Sequence, residues 1–444
     1  MTRRPLYFVA AFAVVLAACS NDDPSEVAAD DASLTTSAVD ADQPDEPTTT
    51  LFTGPTTTFV PPLSGPFDTE GGATFTESPD LIIDPEAVDV LPGTLENLAW
   101  PTDWSRRTVE NWNEFLAGLR GSDPRDGIPP IDQPIFESVA LASEWLGPRE
   151  PGALVQVDDD VRFYPLSILT RHEIVNDAFG EVPVAVTFCP LCNTALTFDR
   201  RIDGQVLRFG VSGLLRNSDL VMWDDQTTSL WQQITGEGVV GTYAGAQLDI
   251  IPTSIVSFQQ FQQDFPEGRS LSGDSGFGRR AYGANPYTGY SSSLSPFLFN
   301  GEIDDRLEAL SRVVGISIDD TARAYPFDAV RDAQVVNDTI GEDPVVVWWG
   351  GDTADALDGQ VIGISAAIGS ALALNPIVDG EVLTFTAGVD EGTFVDDSTG
   401  STWSVLGVAT DGPLSGTQLD IFPHRNEFWF AYQSFFDVES VWAG

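Results

Sequence analysis

Two cysteines three residues apart, Cys189 and Cys192, end an apolar run in the segment VTFCPLCNTALTFDR. A Cys-x2-Cys spacing lets two thiolates reach one ion from a single turn, and a more distant His commonly adds a third ligand. His172 lies shortly before the pair and Met222 shortly after it. A thioether would bias such a site toward copper, whereas Cys2His with water suits zinc. The expected metal ligands are therefore His172, Cys189, Cys192 and Met222. Two other readings stay open. The pair is also a candidate for thiol–disulfide exchange, or for a structural disulfide tightening a turn. Arg216, in the polar cluster Arg216-Asn217-Ser218-Asp219, is a candidate contact for an anion or carboxylate through its guanidinium fork. As a solvated turn residue it is equally ordinary. Glu173 beside His172 has general-base chemistry, but it is one of 67 acidic residues and its type alone argues nothing. No catalytic residue can be named.

The elements that must position these side chains read mostly as strands. Val155–Val157 and Val161–Tyr164 flank an Asp-rich turn, and Leu166–Glu173 fits a short helix. Val182–Phe188 is a Val-rich run bounded by Pro and Cys, as a buried strand would be. Asp203-Gly204 between Ala195–Asp199 and Gln205–Val211 signals a tight hairpin. Phe258, Phe261 and Phe265 fall at helical spacing, as do Phe428, Tyr432 and Phe435, and both faces read as core. Trp100, Trp104, Trp112, Phe115 and Leu116 predict a short aromatic-faced helix, and Ile135–Leu146 a second. The Pro- and Gly-rich stretch 121–132 reads as an ordered loop. The fold class is α+β, predominantly antiparallel β.

Ordered matches recur along the body. Arg162-Phe-Tyr164-Pro165 returns as Arg323-Ala-Tyr325-Pro326, and Asn176-Asp177 as Asn337-Asp338, each displaced by 161 residues (162 to 323, 176 to 337). Asp225, Thr227, Ser229 and Trp231 return as Asp397, Thr399, Ser401 and Trp403. Two internally duplicated subdomains follow, repeat 1 at 151–270 and repeat 2 at 313–444, with a connector at 271–312. At matching positions His172 becomes Ala333, Cys189 Gly350, Cys192 Thr353 and Met222 Phe394. The Arg216–Asp219 cluster is also absent from the second copy. Shared residues thus read as framework, and unshared ones as candidates for a site.

Composition sets outer limits. The 444 residues allow two or three domains with real cores. The 21 basic residues are all Arg and face 67 acidic ones, a net charge of −46. Without Lys there is no Schiff-base chemistry and no Walker-type phosphate loop. A field this negative repels nucleic acid and anionic lipid headgroups. There is no Gly-x-Ser-x-Gly elbow, no His-Glu-x-x-His and no EF-hand loop. Arg3-Arg4, the apolar run Leu6–Leu16 and Leu16-Ala17-Ala18-Cys19 match a lipoprotein signal, with 1–18 removed and Cys19 lipidated. The Thr-, Pro- and acid-rich segment 19–66 reads as a disordered tether, and 67–150 as a segment packing on the body. These features place the protein outside the cytoplasm, anchored to the cell membrane by lipid, where disulfides are permitted.

The motifs DGIPPID (126–132), YPLSILTRHEIVND (164–177), VTFCPLCNTALTFDR (186–200), FGVSGLLRNSDLVMWDDQTTSLWQQITGE (209–237), NPYTGY (285–290) and FWFAYQSFF (428–436) are long and ordered. Over roughly 120–442 the sequence resembles a bacterial family designated domain of unknown function 3179. The resemblance implies a secreted or anchored protein and marks His172, Cys189, Cys192, Arg216 and Met222 as belonging to family motifs. It implies no activity. The family commonly has Trp before the histidine, where this chain has Arg171.

Overall fold

The largely buried, apolar segment Pro151–Val157 pairs antiparallel with Asp160–Pro165, Gly152 facing Pro165 and Val157 facing Asp160. The turn between them passes through Asp158 in the left-handed region, at φ 52°, a conformation Asp tolerates better than most residues. The computed structural model describes residues 71–88, 100, 102–110, 115–117, 125–277, 282–318 and 321–444. The expected signal peptide, Cys19, the whole tether and Trp112 lie outside them. Among the described residues no helix is long and apolar enough to cross a membrane.

Most of the molecule is antiparallel β-sheet with a few short helices. The Pro151–Val157 and Asp160–Pro165 pair belongs to a five-stranded sheet. The helix Leu166–His172 follows directly and buries every residue but Arg171. It ends at Glu173 in the left-handed region (φ 58°), whose N–H donates to the Leu169 carbonyl. The chain then enters a four-stranded sheet built from Ile174–Phe179, Val182–Cys189, Thr194–Asp199 and Ile250–Ile251. Phe209–Arg216 and Asp219–Asp224 lie within a seven-stranded sheet. Further along, Arg312–Ile318, Thr321–Pro326 and the helix Phe327–Ala333 precede a three-stranded sheet of Val335–Ile340, Asp343–Gly350 and Ser370–Leu374.

Three hydrogen-bonded groups explain why the recurring residues are framework. Asp177 Oδ2 takes Arg162 Nη1 and Tyr164 OH, both at 2.6 Å. Asp338 Oδ2 takes Arg323 Nη1 at 2.6 Å and Tyr325 OH at 2.8 Å. Asn176 clasps the backbone of Phe209 through both amide atoms, and Asn337 clasps Phe385 in the same way. Asp224 receives the Thr227 N–H and the Trp231 indole, and Asp396 receives the Thr399 N–H and the Trp403 indole. Each aspartate gathers donors from a turn that would otherwise bury unpaired groups.

The two ion pairs differ in burial, and this difference is testable. The side chains of Arg162 and Asp177 are both 6% exposed, those of Arg323 and Asp338 26% and 23%. Asp177→Ala leaves the buried Arg162 with Asp160 as its one ion-pair partner and takes the acceptor from the buried Tyr164 hydroxyl, and is expected to cost about 3 kcal/mol. Asp338→Ala, in partly hydrated surroundings, is expected to cost about 1 kcal/mol. Urea unfolding midpoints of the two variants test the ranking; equal losses would contradict it.

Three local expectations change. Residues 102–110 form no helix, and the described pieces are the strands Arg106–Arg107 and Phe115–Ala117. Trp100 and Trp104 instead fill one cluster with Leu214, Val221 and Trp223 of the seven-stranded sheet. Tertiary packing outweighs the helical spacing there. Ile135–Leu146 gives the strand Phe136–Ser138 and a single helical turn, Val139–Ala142, capped by Ser138. The hairpin at Asp203-Gly204 is confined to Arg201–Ile202 with Gln205–Val206, because the clasp of Asn176 on Phe209 draws the next strand into a different sheet.

Candidate functional site

The strand Val182–Cys189 is buried from Pro183 onward and delivers Cys189 to its C-terminal end. The chain reverses through Pro190–Asn193, with Asn193 in the left-handed region at φ 56°. Cys189 then pairs with Thr194 across the ladder. The turn folds Cys192 back toward Cys189, and both are buried free thiols. The Cys189 thiol donates to the Ser218 carbonyl at 3.8 Å.

A second hairpin supplies the third group. Asn217 and Ser218 both have positive φ, 49° and 66°, the signature of a two-residue turn matched to strand twist. The turn places Asp219 at the start of the strand Asp219–Asp224 with no exposed surface. One ligand atom each from Cys189, Cys192 and Asp219 lie within 4.8 Å of one another. Asp219 Oδ2 accepts from Gln232 Nε2 at 2.5 Å and the Ile234 N–H at 2.9 Å. Its Oδ1 is buried and has no N–H or O–H donor among the described residues.

Two further carboxyl groups stand beside the trio. Glu173 is buried, and its carboxyl has no hydrogen-bond partner among the described residues. Burial, then the charge of Asp219, push it up to about 8. Its left-handed backbone is not special to the site, because Gln334 holds the matching place after the helix Phe327–Ala333 at φ 65°. Glu427 arrives from the strand Arg425–Phe428, whose Phe428 N–H donates to the Cys192 carbonyl at 2.9 Å. Glu427 Oε2 accepts from Thr194 Oγ1 at 3.2 Å, and Oε1 is buried without a partner. Burial pushes this carboxyl up to about 8, with Arg425 opposing.

Asp219 is pushed up to about 6 by burial, against the hydrogen bonds it accepts, those from both thiols included. Burial raises the thiols as well, Cys192 most strongly. Without a cation the two thiols, Glu173 and Glu427 therefore hold their protons near neutral pH, since a dry core disfavours every anionic form, while Asp219 gives up its own above about 6. Tyr287 and Tyr290 of the connector pack on the outside. The Tyr290 hydroxyl donates to the Leu191 carbonyl at 2.8 Å, and Ser218 Oγ donates to the Phe297 carbonyl.

Of the side chains singled out from sequence, the structure brings Cys189 and Cys192 together and joins them with Asp219. His172 stands outside that trio. Its ring nitrogens meet the Pro129 carbonyl at 2.7 Å and the Tyr282 hydroxyl at 2.8 Å, and its ring lies 4.8 Å from that of Phe277. Met222 shares a strand with Asp219, but three positions along a strand lie on opposite faces. It is core, opposite Val211 and Trp231 on the flanking strands. The Arg216 guanidinium lies 5.5 Å from the centre of the Phe435 ring. Asp219 could have been found from sequence, since its polar cluster has no match in the second half. Glu427 carries no local signal at all.

Comparison with curated proteins and with solved structures gave no match. The family model described as "Protein of unknown function (DUF3179)" matches residues 125–439. Those residues hold both cysteines, Asp219, Glu173 and Glu427, and the chain belongs to this DUF3179 family of proteins of unknown function.

Proposed function

We propose that this protein binds one divalent transition-metal ion, zinc in preference to copper, through Cys189, Cys192 and Asp219. The observation that carries the reading is Asp219 Oδ1, a fully buried carboxylate oxygen with no N–H or O–H donor among the described residues, grouped with two free thiols. Thiols are weak donors, so that oxygen is poorly satisfied, and a cation between it and two sulfurs would satisfy it. Two thiolates and a carboxylate make a borderline donor set that suits zinc. A thioether would shift the balance to copper, and Met222 leaves its strand on the face opposite Asp219. Glu173, whose buried carboxyl feels the charge of Asp219, is a candidate for a fourth ligand. His172, with both ring nitrogens hydrogen-bonded, would have to give up a partner to join.

Thiol–disulfide exchange is the weaker reading. It favours a thiolate stabilised by nearby positive charge, whereas burial raises both thiols here. The wider proposal is that the body holds two copies of one scaffold, of which only the first carries the site. The whole is held outside the cytoplasm by lipid on Cys19. Metal analysis of full-length protein purified under reducing conditions tests the central claim. One equivalent is expected in the wild type, none in Cys189→Ser and less than one in Asp219→Ala. A metal-free wild type after exposure to zinc and copper would overturn it.

A further inference from the structure

A groove of about 2050 Å³ lies away from the thiol site. That exceeds the roughly 300–1,000 Å³ of a small-molecule pocket, so an occupant that filled it would be an extended chain. Three aromatic rings line it: Phe327, which opens the helix Phe327–Ala333, Trp349 near the end of the strand Asp343–Gly350, and Trp442. All three are partly exposed. Trp349 is held by its indole N–H, which donates to the Ile368 carbonyl at 3.3 Å. In the first half the matching position is Phe188, which has no exposed surface.

The opposite wall is the helix Phe258–Asp264. Gln259 and Gln263 line the groove one turn apart on its exposed face. Neither side-chain amide has a hydrogen-bond partner among the described residues. Each offers two donors and an acceptor, and Ser292 and Ser293 add hydroxyls at the rim.

Charge narrows the occupant. Six carboxylates line the groove (Asp305, Glu308, Asp328, Asp352, Glu391 and Glu439) against the three guanidinium groups of Arg306, Arg312 and Arg331. Each arginine is already ion-paired, with Asp304, Asp355 and Asp328. Among the described residues no unpaired cation lines the groove for an anionic ligand, and the excess of three negative charges repels one. Partly exposed ring faces, unpartnered amides and acceptor carboxylates suit a ligand with apolar faces edged by hydroxyl groups. From this combination we infer that the groove binds a neutral oligosaccharide chain. Its pyranose rings lie on Trp349 and Phe327, and its hydroxyl groups bond to Gln259, Gln263 and the carboxylates.

Titration of the full-length protein with neutral hexasaccharides of glucose and of N-acetylglucosamine, followed by tryptophan fluorescence and calorimetry, tests this. Saturable binding is expected for at least one of them. Trp349→Ala is expected to weaken it roughly tenfold or more, and the exposed double change Gln259→Ala/Gln263→Ala to weaken it without altering the thermal midpoint. Absence of saturable binding by every probe overturns the inference. So does binding that both variants leave unchanged. Tighter, salt-sensitive binding of hexalysine than of any hexasaccharide would reassign the groove to a cationic chain.

Discussion

Zinc added to the reduced protein is expected to bind with a stoichiometry of one and to raise stability against urea by about 4 kcal/mol when free metal exceeds the dissociation constant a thousandfold. The hairpins that present Cys189, Cys192 and Asp219 belong to packed sheets, so the ion enters a site the fold has already assembled. The gain is thus set by mass action and is smaller than in a domain that folds only with its metal. Cys189→Ser is expected to abolish the gain. Asp219→Ala is expected to weaken binding roughly a hundredfold, about 2.7 kcal/mol, because two sulfurs remain. Both thiols are raised by burial, so binding must release their protons and affinity must fall as the solution is acidified. Proton release measured by calorimetry in buffers of different ionisation enthalpy gives the count directly. An unfolding midpoint indifferent to zinc in wild type and Cys189→Ser alike would end the metal reading.

Metal-free protein is expected to lose stability as pH rises from 5 to 8, by about 3 kcal/mol or more. The sign follows from four buried acids, all raised: Asp219 to about 6, Glu150 to about 7, and Glu173 and Glu427 to about 8. Between its ordinary value and its raised one, each acid keeps a proton in the fold that the unfolded chain has released. Their contribution is complete at low pH and disappears as pH climbs through the raised values. Moving Glu150 alone from 4.5 to about 7 corresponds to about 3 kcal/mol. His424 acts in the opposite sense. Burial lowers it to about 4, so its contribution is present above 6.5 and lost as pH falls toward 4, but it is one group against four. A bound cation favours the ionised trio, so zinc should flatten or invert the slope. Urea titrations at half-unit pH intervals, with chelator and with zinc, check both halves. Glu150→Gln, whose native carboxyl sits by Ser167, should remove only its own share and leave the zinc response intact. A profile in chelator that is flat or rises with pH would show that these acids are ionised in the fold.

Much of the scaffold was legible in the chain. Apolar runs and turn residues at 155–157, 161–164, 182–188 and 166–173 marked parts of the strands 151–157, 160–165 and 182–189 and the helix 166–172, because period and turn chemistry are local properties. The recurrence of Asn-Asp and Thr-x-Ser-x-Trp marked residues that hold backbone turns by hydrogen bonds, and those bonds occur at both places. The loss of Cys189, Cys192 and the Arg216–Asp219 cluster from the second half pointed at the part of the first where Cys189, Cys192 and Asp219 meet. Proximity in sequence did not place His172 and Met222 with them. One belongs to a helix end whose side chain turns to Pro129 and Tyr282, and the other to the opposite face of the strand that carries Asp219.

By itself the sequence determined a mostly antiparallel β protein with a pair of thiols at the end of a buried strand, and family membership through motifs spread along most of the chain. Tertiary structure alone decided the company those thiols keep. Asp219 comes from another sheet, Glu173 from a helix end, and Glu427 from a strand more than two hundred residues downstream. Local spacing can set the direction in which a side chain leaves its own strand. Which side chains then share one dry volume depends on how separate sheets pack, and that choice raises the carboxyls, keeps the thiols protonated and leaves one Asp219 oxygen with no N–H or O–H donor among the described residues.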